Sequence, residues 1–194
     1  MKTKAALAAE RYLATVADMF MPFLGRASCE NGCTCFCFPS IAIDRAELCQ
    51  RKRSHLFGGF IGLEVVGTVN TGVSFPESKM SILYKGMMVK GDAYFRVIDG
   101  NKSAMHDELN ANSDLIKTLS ELDLEHGEVI VSESEVKVSL APLGSTYTYM
   151  TFPPMQHAGY FNKNEAALLS RALDLIGKTV VKMPARSGTR EGVK

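Results

Sequence analysis

All five cysteines of this chain lie in one segment near the N-terminus, and their type and spacing could support chemistry. Four of them follow the spacing C-x3-C-x-C-x-C, and eleven residues separate the fourth from the fifth: Cys29, Cys33, Cys35, Cys37 and Cys49. Thiolates bind zinc and iron, and the thiolate is also the reactive form of cysteine in redox reactions. These five residues are therefore the candidate metal ligands of the chain, with zinc or iron as the metal.

The spacing of the cysteines fits a zinc site only in part. Zinc ligands usually come in pairs separated by two to four residues within a tight turn, as Cys29 and Cys33 are. Cys33, Cys35 and Cys37 are each separated by a single residue. In an extended strand such positions share a face at about 7 Å, which is too far for a disulfide between neighbours. Burial as small apolar side chains is therefore the favoured interpretation, with no cofactor expected; a metal site and a thiol-redox segment are the alternatives.

Motifs that identify common enzyme classes are absent from the sequence. There is no phosphate-binding glycine loop, no nucleophile elbow and no His-Glu-x-x-His, and the histidines are scattered at His55, His106, His126 and His157. The catalytic residues, if there are any, are unknown. We therefore expect a non-catalytic protein that binds a partner or a small ligand. The alternatives are a metal-binding or thiol-redox protein that uses residues 29–49, and an enzyme whose site is assembled from distant residues.

Composition indicates one globular domain without a strong charge preference. The chain has 194 residues, 46% of them apolar, and a formal net charge of +1, which gives no general attraction to nucleic acid. We expect a single domain over residues 1–182 and a flexible basic tail over 183–194. No apolar run approaches the roughly 20 residues of a membrane span. Because Glu10 and Asp18 interrupt the apolar N-terminal stretch, a cytoplasmic location is expected.

The hydrophobic periodicity predicts an α+β fold with a mostly antiparallel sheet. Three- and four-residue spacing predicts an N-terminal helix over 4–24, a short helix over 41–50, an inserted helical pair over 103–111 and 114–122, and a long C-terminal helix. Alternation and turn residues predict strands over 60–69, 73–75, 80–84, 87–89, 94–98, 128–131, 135–140 and 146–152. The sheet should therefore be covered on one face by the helices.

Capping residues mark the predicted helix ends. Asn101 is expected to cap the first inserted helix, and Asn112 or Ser113 the second. Asn162 and Glu165 have the spacing of a capping box at the start of the C-terminal helix. Gly177 is expected to end that helix, because glycine is common just after a helix C-terminus.

Three short phrases within residues 109–176 resemble a known family. They are LSELDL at 119–124, LAPLGS at 140–145 and FPPM at 152–155. Together they resemble an uncharacterised family of conserved bacterial proteins with no assigned function. The resemblance implies a bacterial cytoplasmic protein. It carries over no site residue, and the cysteine segment lies outside the resembling region.

Overall fold

The computed structural model describes residues 4–25, 27–30, 33–36, 42–72, 74–86 and 90–183. Within these ranges the helices are α1 (Lys4–Leu24), α2 (Ala104–Ala111), α3 (Ser113–Ser120) and α4 (Lys163–Lys182). The strands are β1 (Ala27–Glu30), β2 (Cys33–Phe36), β3 (Arg45–His55), β4 (Gly58–Asn70), β5 (Ser78–Tyr84), β6 (Ala93–Gly100), β7 (Leu124–Val131), β8 (Glu135–Pro142), β9 (Thr146–Thr151) and β10 (Pro154–Ala158). The predicted α+β class, with helices at both ends and a helical pair between strands, is confirmed.

The strands form one antiparallel sheet organised around the long strand β4. The order is β1-β2-β3-β4-β8-β7-β5-β6, and β9 and β10 continue from the other part of β4. One edge of β4 pairs with β3 along its length. The opposite edge is divided, because residues 65–70 pair with β8 while residues 58–62 pair with β9. The β9–β10 hairpin therefore lies beside the β3–β4 turn.

Alternation along β4 separates the two faces of the sheet. Leu63, Val65 and Val69 are buried in the hydrophobic core with α1 and α4. Glu64 lies on the opposite face, where it pairs with Arg51 of β3. This is the period-2 alternation of a sheet whose one face packs against helices, while the opposite face carries polar side chains together with the buried Val66.

The two terminal helices form where their sequence signals predict them. α1 spans the predicted residues 4–24. At the start of α4, the Asn162 side chain accepts a hydrogen bond from the Glu165 backbone N–H, and the Glu165 carboxylate accepts one from the Asn162 N–H. This reciprocal pair confirms the predicted capping box. No helix within the described ranges is long and apolar enough to cross a membrane.

The predicted helix over 41–50 is wrong, because residues 45–55 form strand β3. Ala46 and Leu48 are buried in the core and alternate with Arg45 and Glu47, which is strand periodicity. Continuous pairing with β4 satisfies the backbone of this segment, a contact that local propensity does not register. β10 was not predicted at all.

Two predicted helix boundaries are also wrong. α4 continues past Gly177 to Lys182. Gly177 therefore lies inside the helix, where it is buried against Ile43, and it is not the helix C-terminus. The N-cap of α2 is Ser103, not Asn101. Asn112 caps α3 as predicted.

Three further predictions concern a strand over 73–75, a strand over 87–89 and the C-terminal tail. Residues 74–75 are not in a strand. The strand predicted over 87–89 and the tail after Met183 lie outside the described residues, so the domain boundary at residue 182 stays a prediction.

Candidate functional site

The candidate cysteines that the structure describes lie in β1, β2 and β3, the three strands at one edge of the sheet. Cys29 is in β1 and Cys33 and Cys35 are in β2, the two strands of a hairpin in which Cys29 is opposite Thr34. Cys49 is half-buried in β3, opposite Glu64 of β4. Cys37 lies outside the described residues.

The structure leaves the metal hypothesis as a prediction. Among the residues it describes, no group of three or more His, Cys, Asp or Glu side chains is arranged to hold a metal ion. Of the candidate ligands, Cys49 is the one whose side chain the structure describes. Whether the others bind zinc or iron remains a matter for metal analysis.

A cavity of about 490 Å³ lies between the loop after β4, helix α2 and the C-terminal end of α4. Its lining residues come from three distant parts of the sequence: Ser74, Phe75, Pro76, Ser103, Ala104, Met105, Glu108, Ala111, Asn112, Thr179, Lys182 and Met183. Small-molecule sites in proteins are typically clefts of about 300–1,000 Å³ with apolar walls and a few polar groups. The volume and lining of this cavity match that description.

Asn112 holds the helices that form the cavity wall. Its backbone N–H donates to the Glu108 carbonyl at the end of α2, and its side-chain oxygen accepts from the Leu115 N–H at the start of α3. Its side-chain NH₂ donates to Thr179 Oγ1 of α4 at 2.9 Å. One residue therefore joins three helices, which fixes the distance between α2 and α4 across the cavity.

Helix α2 is also anchored to the sheet, on its other side. The Asn110 side chain accepts a hydrogen bond from the Phe95 N–H at 2.9 Å and donates to the Phe95 carbonyl at 3.1 Å. Met105 is buried beneath the helix and lines the cavity. The cavity wall is thus held in place from both sides, as a pre-formed binding site requires.

Charged side chains of opposite sign stand at the cavity opening. Glu108 and Lys182 both line the cavity and are both exposed. The Ser103 hydroxyl also lines it and makes no capping hydrogen bond to α2. Just outside, the pKa of Asp107 is lowered by its hydrogen bonds with His106 and Lys102. The cavity can therefore interact with polar or charged ligand groups at Glu108 and Lys182, and with apolar groups at Phe75, Met105 and Met183.

Two half-buried tyrosines with raised pKa values serve the fold rather than the cavity. The Tyr12 hydroxyl lies 2.6 Å from the Gly144 carbonyl and 2.8 Å from the Gly159 carbonyl, and the Tyr84 hydroxyl donates to the Leu122 carbonyl at 2.7 Å. Burial raises the pKa of each tyrosine to about 12. Neither tyrosine lines the cavity, so their titration does not mark it as a catalytic cleft.

Comparison with known proteins places the chain in a family. A family model described as a protein of unknown function, DUF3156, matches residues 22–180. The chain belongs to this family. The match confirms the resemblance to an uncharacterised family seen in three short phrases. It covers all ten described strands and most of α4. It also includes residues 29–49, so the expectation that the cysteine segment lies outside the family region is wrong. No curated protein and no solved structure matches the chain.

Sequence reasoning missed the cavity in this family member for a physical reason. Its lining residues are of ordinary types, and loop, α2 and α4 residues meet only in the folded chain. One signal was available, since Asn112 was predicted as a helix cap between two short helices. Asn112, at that junction, joins the helices that form the cavity wall.

Proposed function

We propose that the protein binds a small amphipathic molecule, with its apolar part in the α2–α4 cavity and a polar or charged end at Glu108 and Lys182. The observation that carries this proposal is the cavity itself, which lies between anchored helices and is lined by both apolar and polar side chains. The bacterial and cytoplasmic setting implied by the family resemblance is part of the same proposal.

The proposed activity of the cavity is ligand binding without catalysis. General acid–base catalysis needs a titratable group within reach of the ligand and a pKa adjusted to that task. Tyr12, Tyr84, Asp107 and Glu165 have shifted pKa values, and none of them lines the cavity. The polar residues that do line it are suited to orienting a ligand.

Filling the cavity is the first test. The probe is 8-anilinonaphthalene-1-sulfonate, an apolar ring system with one anionic group, whose fluorescence rises in apolar surroundings. Ala111→Phe places a large side chain in the opening at an exposed position, so the core is not disturbed. The matched control is Ala14→Phe, at an exposed position on α1. We expect at least about tenfold weaker probe binding in Ala111→Phe and wild-type binding in Ala14→Phe, because the lost contact area is apolar.

Charge at the opening is the second test. Lys182→Ala should weaken binding of the anionic probe, while Glu108→Gln should strengthen it, because an opposite charge is lost in one case and a like charge in the other. Lys178→Ala, on the same helix but outside the cavity lining, is the control. Equal binding by the wild type and Ala111→Phe, with no response to either change at the opening, would refute the proposal.

A further inference from the structure

The tips of two neighbouring hairpins expose large apolar side chains at one end of the sheet. Leu56 is 88% exposed and Phe57 59% in the β3–β4 turn, and Phe152 is 78% and Met155 58% exposed at the β9–β10 turn. The two tips are joined by the Thr151 N–H, which donates to the Phe57 carbonyl at 2.7 Å. They therefore form one projecting surface, which we call the hairpin tip.

Turn formation does not account for Leu56 and Phe57. His55 and Gly58 pair at the end of the β3–β4 ladder, so Leu56 and Phe57 form a two-residue turn. Such turns favour Asn-Gly, Asp-Gly or glycine at the first position, and large apolar residues have no advantage in them. Exposure of these apolar side chains lowers solubility, and the turn does not require them. Their exposure therefore indicates an interaction surface.

The charged residues that belong to the two hairpins of the tip are all basic. Residues 51–62 and 146–158, which form the tip and its supporting strands, contain no Asp or Glu and include Arg51, Lys52 and Arg53. Glu125, from β7, pairs with Arg51 at 3.3 Å and with Arg53 at 3.8 Å, and Glu64 of β4 pairs with Arg51 at 3.8 Å, so these two carboxylates offset part of this charge. Lys52 and Arg53 are exposed and, as successive strand residues, point to opposite faces of the hairpin.

From this arrangement we propose that the hairpin tip docks on an anionic lipid surface. Arg53 precedes Leu56 by three residues, which is about 10 Å along a strand. Membrane-bound apolar side chains enter about 5–10 Å into the boundary between headgroups and acyl chains. With Leu56, Phe57 and Phe152 at that depth, Lys52 and Arg53 lie at the level of the lipid phosphates. A convex tip fits a deformable surface, whereas a protein partner would need a matching groove.

The test is sedimentation of the full chain with lipid vesicles. We expect binding to vesicles of phosphatidylcholine with phosphatidylglycerol, weak binding to phosphatidylcholine alone, and loss of binding in 0.5 M salt. Leu56→Ser/Phe152→Ser should weaken the partition at least about tenfold by removing apolar contact. Lys52→Gln and Arg53→Gln should each weaken it about fivefold, the usual effect of one basic residue near an anionic surface.

Matched controls change exposed apolar and basic residues away from the tip. Leu7→Ser/Val181→Ser removes exposed apolar side chains from α1 and α4, and Lys163→Gln removes one exposed charge. All of these should bind vesicles like the wild type. The proposal is overturned if the wild type stays in the supernatant with anionic vesicles, or if control and tip variants lose binding equally. Dimerisation in sedimentation velocity that Leu56→Ser/Phe152→Ser abolishes, without vesicle binding, would make the tip a protein interface and overturn the lipid proposal.

Discussion

Replacing Gly177 by alanine should destabilise the protein, although alanine favours a helix. At an open helix position the change would stabilise by about 0.5–1 kcal/mol. Here a Cβ would lie 2.8 Å from Ile43 Cδ1 and 2.9 Å from the Ala42 carbonyl oxygen. Carbon contacts prefer about 3.5–4.0 Å, and overpacking of this kind costs about 1–3 kcal/mol. The net loss expected for Gly177→Ala is therefore about 0.5–2 kcal/mol.

Urea denaturation followed by circular dichroism measures this loss. The midpoint should fall while the m-value is unchanged. Ile43→Val removes Cδ1, so it tests whether contact with this atom causes the loss of stability. It should cost about 0.5–1.5 kcal/mol alone and less when combined with Gly177→Ala, because it relieves one of the two overlaps. A Gly177→Ala variant as stable as the wild type, or more stable, would show that α4 does not approach Ile43 as described.

Three further predictions concern the core, alkaline pH and the cysteines. Leu173→Ala should lower the free energy of unfolding by about 2–5 kcal/mol because Leu173 is fully buried, while the exposed control Val181→Ala should change it little; equal effects in a urea titration would contradict this. Burial raises the pKa of Tyr84 to about 12 from 10.0, so the folded state holds this proton more tightly. The stability it contributes is present below pH 10 and is lost as the pH rises toward 12, so Tyr84→Phe should flatten the decline in urea midpoint, and an unchanged decline would refute this. Freshly purified protein should contain no stoichiometric zinc or iron, and its thiols should react slowly until denaturant is added; stoichiometric metal that disappears in Cys33→Ser/Cys35→Ser would prove the opposite.

The elements that could be predicted from sequence are those specified by local signals. The apolar spacing of residues 4–24 and the capping box at Asn162 and Glu165 act within a few residues, and both appear in the structure. The β7–β8 hairpin likewise follows from alternation on both sides of a short turn. In each case the signal and the structure that it specifies occupy the same short stretch of chain.

Long-range contacts decide what could not be predicted. Residues 45–55 become a strand because β4 pairs with them, and Gly177 lies inside a helix where a Cβ would meet Ile43, so it is not a helix stop. The cavity and the hairpin tip are harder still to predict from sequence, because each is formed by segments that are far apart in the chain. Thr151 could be predicted as part of a strand, but not as a hydrogen-bond partner of Phe57.

The central claim, that the α2–α4 cavity binds a small amphipathic molecule, is tested most directly by methyl NMR of methionine-labelled protein. Met105 and Met183 line the cavity, whereas Met150 and Met155 lie at the hairpin tip. On titration with 8-anilinonaphthalene-1-sulfonate, the Met105 and Met183 methyl signals should shift with one shared saturation curve while those of Met150 and Met155 stay in place. Shifts confined to Met150 and Met155, or no saturable shift at Met105, would contradict the claim.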